Sequence, residues 1–204
     1  MEANRTRSAS FLARIIGGFL CTLLFLFGCD GQMRDKEIEA IDASKDMQPR
    51  DFELKDHTGQ LRRLSEFRGK VVALFFGYTQ CPDVCPTTLV QFVHVYRELG
   101  TKADGLQVIF VSVDPDRDTQ QLLSEYMPMF DPRFIGMYGT REELKQVTDA
   151  FSVSHVKIPG SSDSNYTIDH TAYVFLIDQA GRLRLKVPHG QSTAALVTLI
   201  QEIS

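Results

Sequence analysis

The chain has 204 residues, of which 43% are hydrophobic and 24% are charged, and its formal net charge is −4 at pH 7. This composition is typical of a globular domain with a hydrophobic core, and it excludes a disordered or collagen-like chain. The acidic balance gives no electrostatic reason to expect nucleic acid as a partner. The cysteines are Cys21, Cys29, Cys81 and Cys85, and a disulfide framework is the first hypothesis to test.

The N-terminal residues predict export. Residues 1–28 combine arginines with an apolar run from Ile15 to Phe27, which is the pattern of a signal peptide. A helix of that length rises about 20 Å, less than the roughly 30 Å hydrocarbon core of a membrane, so a signal is favoured over a stable span. An uncleaved anchor in which Cys21 and Cys29 are buried thiols is the alternative.

The end of the apolar run resembles a bacterial lipoprotein signal. Gly28 precedes Cys29, which by this resemblance is lipidated and becomes the new N-terminus, and Asp30 resembles the signal for retention at the inner membrane. We therefore expect a lipid anchor at the cell inner membrane, a polar spacer over residues 29–50, and a domain facing the periplasm. Cys21 then leaves with the signal, so the disulfide framework is rejected.

Residues 51–204 form the predicted domain, in which strands alternate with helices. The predicted strands are 52–54 and 61–64, paired as an N-terminal hairpin, then 71–77, 106–113, 171–178 and 183–187. The predicted helices are 87–99, 119–126, one opened by a capping box at Thr140 and ending near Phe151, and one capped by Ser192 and ending at Ile203. Residues 152–169 are predicted to be a functional or mobile loop. The fold class is α/β with a mixed central sheet flanked by helices.

Cys81 and Cys85 are the candidates for chemistry. They are four residues apart at the junction of a buried strand and a helix, so their sulfur atoms are expected to converge. A helix N-terminus lowers the pKa of a thiol, and such a pair closes a disulfide or binds a soft metal. Inert structural thiols are the alternative, which the position at the strand end disfavours. His170, taken alone, is typical of a hydrogen-bonded surface residue.

Three motifs in order resemble those of the Sco/SenC family of copper-binding, thioredoxin-like proteins: FFGYTQCPDVCPTTL (75–89), VSVDPDRDT (111–119) and DHT (169–171). The resemblance covers nearly all of residues 51–204. It implies a thioredoxin-like fold and one copper ion per chain. The copper ligands implied are the thiolates of Cys81 and Cys85 and the imidazole of His170, which the predicted loop 152–169 brings to the site. Two thiolates and one imidazole suit Cu(I), and the nitrogen is acceptable to Cu(II).

Three acidic residues lie within these motifs. Asp83, between the cysteines, is predicted to support the ligands or to face a partner, and the alternative is a simple helix-start acid. Asp114 and Asp116 are interpreted as turn and cap residues.

The resemblance implies a copper metallochaperone that helps to assemble the dinuclear copper site of cytochrome c oxidase subunit II. It also implies a copper donor and a thiol reductant as partners. The alternatives are a thiol–disulfide oxidoreductase that reduces the cysteines of that client, a copper or redox sensor, and a zinc site. A metallochaperone is favoured over an enzyme. A peroxidase is disfavoured because Leu74 and Tyr78 occupy the positions where its motif has Pro and Thr.

Overall fold

The computed structural model describes residues 38–45, 51–162 and 165–204. Residues 38–204 form one compact unit. The predicted signal peptide 1–28 and the predicted lipidation site Cys29 lie outside the described residues, as does most of the spacer 29–50. None of the helices within the described ranges is long and apolar enough to cross a membrane.

Ten strands and four α-helices are present in the described residues. The strands are β1 (Ile41–Asp42), β2 (Glu53–Asp56), β3 (Leu61–Arg63), β4 (Val71–Gly77), β5 (Leu106–Ser112), β6 (Ile135–Tyr138), β7 (His155–Ser162), β8 (Asn165–His170), β9 (Tyr173–Ile177) and β10 (Leu183–Pro188). The helices are α1 (Val84–Leu99), α2 (Gln120–Tyr126), α3 (Arg141–Ala150) and α4 (Thr193–Glu202), with short 3-10 helices at Leu64–Phe67, Gly100–Gly105 and Met127–Met129. Eight strands form the main sheet in the order β1-β10-β9-β4-β5-β6-β2-β3, and β7 pairs with β8 separately.

β4 lies at the centre of the main sheet, and all seven of its residues are buried. It pairs in parallel with β5 and antiparallel with β9, so the sheet is mixed, as predicted. Because alternate side chains of a strand point to opposite faces, Ala73 and Phe75 contribute to the core beside α1 and α4. Leu74 and Phe76 contribute to a second core beside α3. The predicted sheet flanked by helices is therefore confirmed.

The predicted N-terminal hairpin is also confirmed. β2 and β3 pair antiparallel, and β2 joins the main sheet through β6. β1, which lies within the segment 29–50, pairs with β10 at the opposite edge of the sheet.

The predicted caps are present, while one helix begins earlier than predicted. Thr140 accepts from the backbone of Glu143 in a capping box, and Ser192 caps α4. α1 begins at Val84 and not near Thr87, which puts Pro86 inside the helix. The first turn tolerates proline because its N–H groups have no partner within the helix.

The prediction of a loop over 152–169 is wrong, because β7 and β8 form an antiparallel hairpin there. Polar residues and an irregularity in register between Pro159 and Ser162 obscure the pattern in the sequence. A signal was nevertheless present, since Tyr166 and Ile168 alternate with polar residues and are the buried positions of β8. His170 is therefore held by a strand end and not by a loop.

Candidate metal centre

Cys81, Cys85 and His170 come together as predicted. Cys81 lies in the turn after β4, where its N–H donates to the carbonyl of Tyr78, Cys85 lies in the first turn of α1, and His170 ends β8. One ligating atom from each lies within 4.8 Å of the other two, and Cys85 Sγ is 3.7 Å from His170 Nε2. His170 Nδ1 is 3.1 Å from the carbonyl oxygen of Thr171. Nδ1 is therefore assigned the proton, which leaves Nε2 as the ligand atom.

The site lies at the rim of the core and is not enclosed by it. Cys85 is completely buried, whereas Cys81 and His170 are partly exposed. A Cβ atom on Gly77 would lie 2.6 Å from Cys85 Sγ and 2.8 Å from the Phe110 ring. The end of β4 therefore needs glycine, because any larger residue would displace the buried sulfur. The accessible side of the centre is therefore the side of Cys81 and His170.

The two sulfur atoms have opposite pKa shifts. The Cys85 side chain hydrogen-bonds the Cys81 sulfur, and this bond, helped by the backbone N–H groups of Asp83 and Cys85, holds the pKa of Cys81 well below its usual range. The same bond and burial raise the pKa of Cys85. The metal-free pair therefore shares one proton: Cys81 is the exposed thiolate and Cys85 the buried thiol. Two sulfurs and an imidazole nitrogen, without oxygen donors, suit a soft metal ion.

A buried carboxylate fixes the chain just before Cys81. Asp118 accepts hydrogen bonds from Thr79 N at 3.0 Å, Thr79 Oγ1 at 2.6 Å and Ser112 Oγ at 2.6 Å. Burial raises the pKa of Asp118, while these hydrogen bonds oppose that shift. Asp118 thus joins the turn that carries Cys81 to the end of β5.

Arg117 connects the two arms of the centre, which are the turn that carries Cys81 and the strand β8 that carries His170. This role was not predicted from the sequence. Its Nε is 2.5 Å from Asp114 Oδ2, and its Nη1 donates to Gln80 Oε1 at 3.1 Å and to the carbonyl of Tyr166 at 2.9 Å. The guanidinium carbon also lies 3.4 Å from the centroid of the Tyr166 ring. Arg117 therefore contacts both the residue before Cys81 and the strand that carries His170.

The acidic residues have different roles. Asp114, interpreted from sequence as a turn residue, is buried, pairs with Arg117, and accepts a hydrogen bond of 2.6 Å from the Tyr166 hydroxyl. Asp116 pairs with the exposed Arg141. The carboxylate of Asp83 is exposed and accepts from Thr87 Oγ1 at 3.1 Å, and only its backbone faces the Cys81 sulfur.

Two further histidines lie near the centre. His155 is directly opposite His170 in the β7–β8 ladder, although it does not join the cluster of ligating atoms. His189 Nδ1 is 3.1 Å from the hydroxyl of Thr88 on α1. His155 is therefore a matched control for His170.

Fold and site define a class of protein, an α/β domain with a Cys-Cys-His centre beyond the end of its central strand. A family model described as SCO1/SenC matches residues 41–204, and the chain belongs to this family. Curated relatives include the SCO2-like protein of Rickettsia felis, 38% identical over 133 residues, which are 65% of this chain and 65% of that protein. The human mitochondrial SCO1 homolog is 37% identical over 132 residues, 64% of this chain and 44% of that protein. The match thus spans less than two thirds of these relatives.

Solved structures confirm the thioredoxin-like fold. ScoI of Bradyrhizobium japonicum, solved with copper bound, matches 77% of this chain and 99% of its own, with a TM-score of 0.71 and 35% identity. Apo Sco1 of Thermus thermophilus matches 77% of this chain and 92% of its own, with a TM-score of 0.70 and 39% identity. Because nearly the whole length of each of these solved chains is matched, we expect the compact unit 38–204 to fold on its own.

Replacing Arg117 with Met tests the connection between the two arms. The substitution leaves the Asp114 carboxylate buried and unpaired, since the two side chains are only 12% and 2% exposed. We expect the free energy of unfolding, measured by urea denaturation of the 38–204 domain, to fall by about 3 kcal/mol. The control Arg141→Met removes a pair that is 67% and 42% exposed, and should cost less than about 1 kcal/mol. Equal losses in both variants would contradict the assigned role.

The depressed pKa of Cys81 predicts unusual reactivity in acid. In the reduced, metal-free domain the rate of alkylation of Cys81 by iodoacetamide should change little between about pH 8 and pH 5, whereas an ordinary thiol slows about tenfold per pH unit there. The substitution Cys85→Ser weakens the hydrogen bond to the Cys81 sulfur and so raises the pKa of Cys81. In this variant the rate of Cys81 alkylation should begin to fall as the pH is lowered from about 8 to about 5. A wild-type rate that follows an ordinary thiol would refute the shared proton.

Proposed function

We propose that this protein is a copper metallochaperone that binds one copper ion through Cys81, Cys85 and His170. In this function the copper is cargo for the dinuclear site of cytochrome c oxidase subunit II. The observation that carries the proposal is the convergence of two sulfur atoms and one imidazole nitrogen within 4.8 Å at the protein surface. The oxidase role rests on the family resemblance and on the chain's membership of that family.

The donor set and its position both suit a cargo site. Two thiolates and a neutral imidazole favour Cu(I), and the nitrogen remains acceptable to Cu(II). Binding of Cu(I) releases the single proton that Cys81 and Cys85 share, so the thiol of Cys85 becomes a second thiolate. Because Cys81 and His170 are partly exposed, ligands of a client can replace them one at a time. A closed structural cage would retain the ion.

A metal titration tests copper binding. The reduced 38–204 domain should bind one Cu(I) per chain in competition with a chromogenic chelator, and its melting temperature should rise as the ion binds the native state. Cys81→Ser, Cys85→Ser and His170→Ala should each weaken binding, whereas His155→Ala should leave it unchanged. Copper binding that survives all three ligand substitutions, or a clear preference for Zn(II) over copper, would exclude the proposal.

A second candidate function, reduction of a client disulfide, is favoured by the unequal protonation of the two sulfurs. The Cys81 thiolate attacks a client sulfur and forms a mixed disulfide, and the second client sulfur leaves as a thiolate that takes up a proton. Cys85 then loses its proton, and its thiolate attacks the Cys81 sulfur of the mixed disulfide, so the Cys81–client bond breaks and the first client sulfur leaves as a thiolate that takes up that proton. The products are a Cys81–Cys85 disulfide and a fully reduced client, so two electrons pass to the client.

Trapping separates reduction from delivery. Copper-free Cys85→Ser protein should accumulate a mixed disulfide with an oxidised copper domain of oxidase subunit II, detected by mass spectrometry and lost on adding a reductant. The control Cys81→Ser lacks the attacking thiolate and should trap none. If wild-type protein transfers copper only to a pre-reduced domain and no adduct forms, then delivery is its only step.

The anchor and location complete the proposal. The signal pattern over 1–28 and the Gly28–Cys29 pair support a lipid on Cys29 that holds the domain at the periplasmic face of the inner membrane. In that oxidising compartment a thiol reductant is needed to keep Cys81 and Cys85 reduced. A copper donor is needed to load the site. Incorporation of labelled palmitate by the full chain should disappear in Cys29→Ser. Equal labelling of the wild-type chain and of Cys29→Ser would exclude Cys29 as the lipidation site.

A further inference from the structure

A pocket of about 460 Å³ lies beside the metal centre and is assigned no role by the proposed function. It is an open pocket lined by the β7–β8 hairpin, α3 with the residues just after it, and the chain that follows β5. Its floor is apolar and consists of the buried side chains of Val113, Leu144, Val153 and Ile168. None of the three candidate copper ligands lines it. The volume is within the usual range of small-molecule sites, roughly 300–1,000 Å³.

The rim of the pocket carries one positive charge more than its ion pairs neutralise. Arg141 pairs with Asp116, and Lys145 Nζ is 2.6 Å from Asp149 Oδ2. The remaining cation, Lys157, forms no ion pair with any carboxylate in the described ranges, and its Nζ lies 3.7 Å from the centroid of the Tyr166 ring.

The negative charges of the pocket set an upper limit on the charge of a ligand. The buried Asp114 carboxylate also lines it, although Arg117 and the Tyr166 hydroxyl already occupy its oxygen atoms. Asp116 and Asp149 lie on the rim, so a phosphate or another multiply charged anion would meet like charges. The charge pattern therefore suits a ligand with a single negative charge.

We propose that this pocket binds a small monocarboxylate with an apolar body. The carboxylate lies against Lys157 Nζ, and the body covers the apolar floor formed by Val113, Leu144, Val153 and Ile168. Burial of the apolar part of the ligand contributes favourable binding free energy but does not fix its orientation. The ammonium group of Lys157 orients the ligand by pairing with its carboxylate. This site is separate from the cysteine pair, so the inference goes beyond the proposed function and does not depend on it.

The probe is 3-phenylpropionate, titrated into the 15N-labelled 38–204 domain while amide chemical shifts are recorded. Saturable shifts are expected at the floor residues and at Lys157. Two controls divide the ligand into its parts: acetate keeps the charge without the ring, and 3-phenylpropionamide keeps the ring without the charge. Each control should bind about fivefold more weakly or worse.

Paired variants locate the charge. Lys157→Met should weaken 3-phenylpropionate by about fivefold, whereas Lys70→Met, which removes an exposed lysine before β4, should leave its affinity unchanged. Both lysines are exposed, so both variants are expected to fold, as their amide spectra will show. The Cys81→Ser, Cys85→Ser double variant should bind the probe normally, which separates this test from that of copper binding.

Three results would overturn the inference. They are no saturable shift at the pocket, an amide that binds as tightly as the carboxylate, and equal affinities in Lys157→Met and the wild type.

Discussion

The buried guanidinium of Arg117 is the contact on which the geometry of the centre depends. It takes its counter-charge from Asp114 at 2.5 Å, donates hydrogen bonds to Gln80 and to the Tyr166 carbonyl, and lies over the Tyr166 ring. One arm of the metal centre begins directly after Gln80, and the other is the strand that carries Tyr166. A charge with fixed, planar donors restrains both arms more tightly than apolar contacts at this polar rim would. Loss of Arg117 is therefore expected to loosen both arms together.

The cysteines differ because their surroundings differ. The pKa of Cys85 is raised by its hydrogen bond with the Cys81 sulfur and by its burial against the backbone of Gly77, so it retains its proton. Cys81 is partly exposed and its sulfur accepts hydrogen bonds, so its pKa is lowered and it is the thiolate. In the proposed function the same asymmetry serves two chemistries, since the more exposed thiolate would be the first atom to meet a client and the buried thiol would complete either a metal site or a disulfide. In the proposed function, metal transfer and thiol reduction are thus two uses of one centre.

The sequence predicted the central strand and the helix caps better than the separate β7–β8 hairpin. The apolar run of β4 and the caps at Thr140 and Ser192 depend on local patterns, and the structure confirms them. The β7–β8 hairpin was predicted to be a loop, because only β8 buries side chains and every residue of β7 is exposed. A strand without a buried face leaves no hydrophobic period to detect. His170 was therefore assigned from family resemblance and not from pattern.

By itself, the sequence determined which atoms are available for chemistry: a cysteine pair spaced for one helical turn after a buried strand, and a histidine beside an apolar strand. Tertiary structure decided how those atoms behave. It brought His170 Nε2 to 3.7 Å from Cys85 Sγ across 85 residues of chain, and it placed the proton on the buried sulfur. It also paired Asp114, interpreted from the sequence only as a turn residue, with Arg117, for which the sequence predicted no role. The reason is physical: burial and long-range hydrogen bonds set a pKa and a ligand geometry, and neither exists until distant segments pack together.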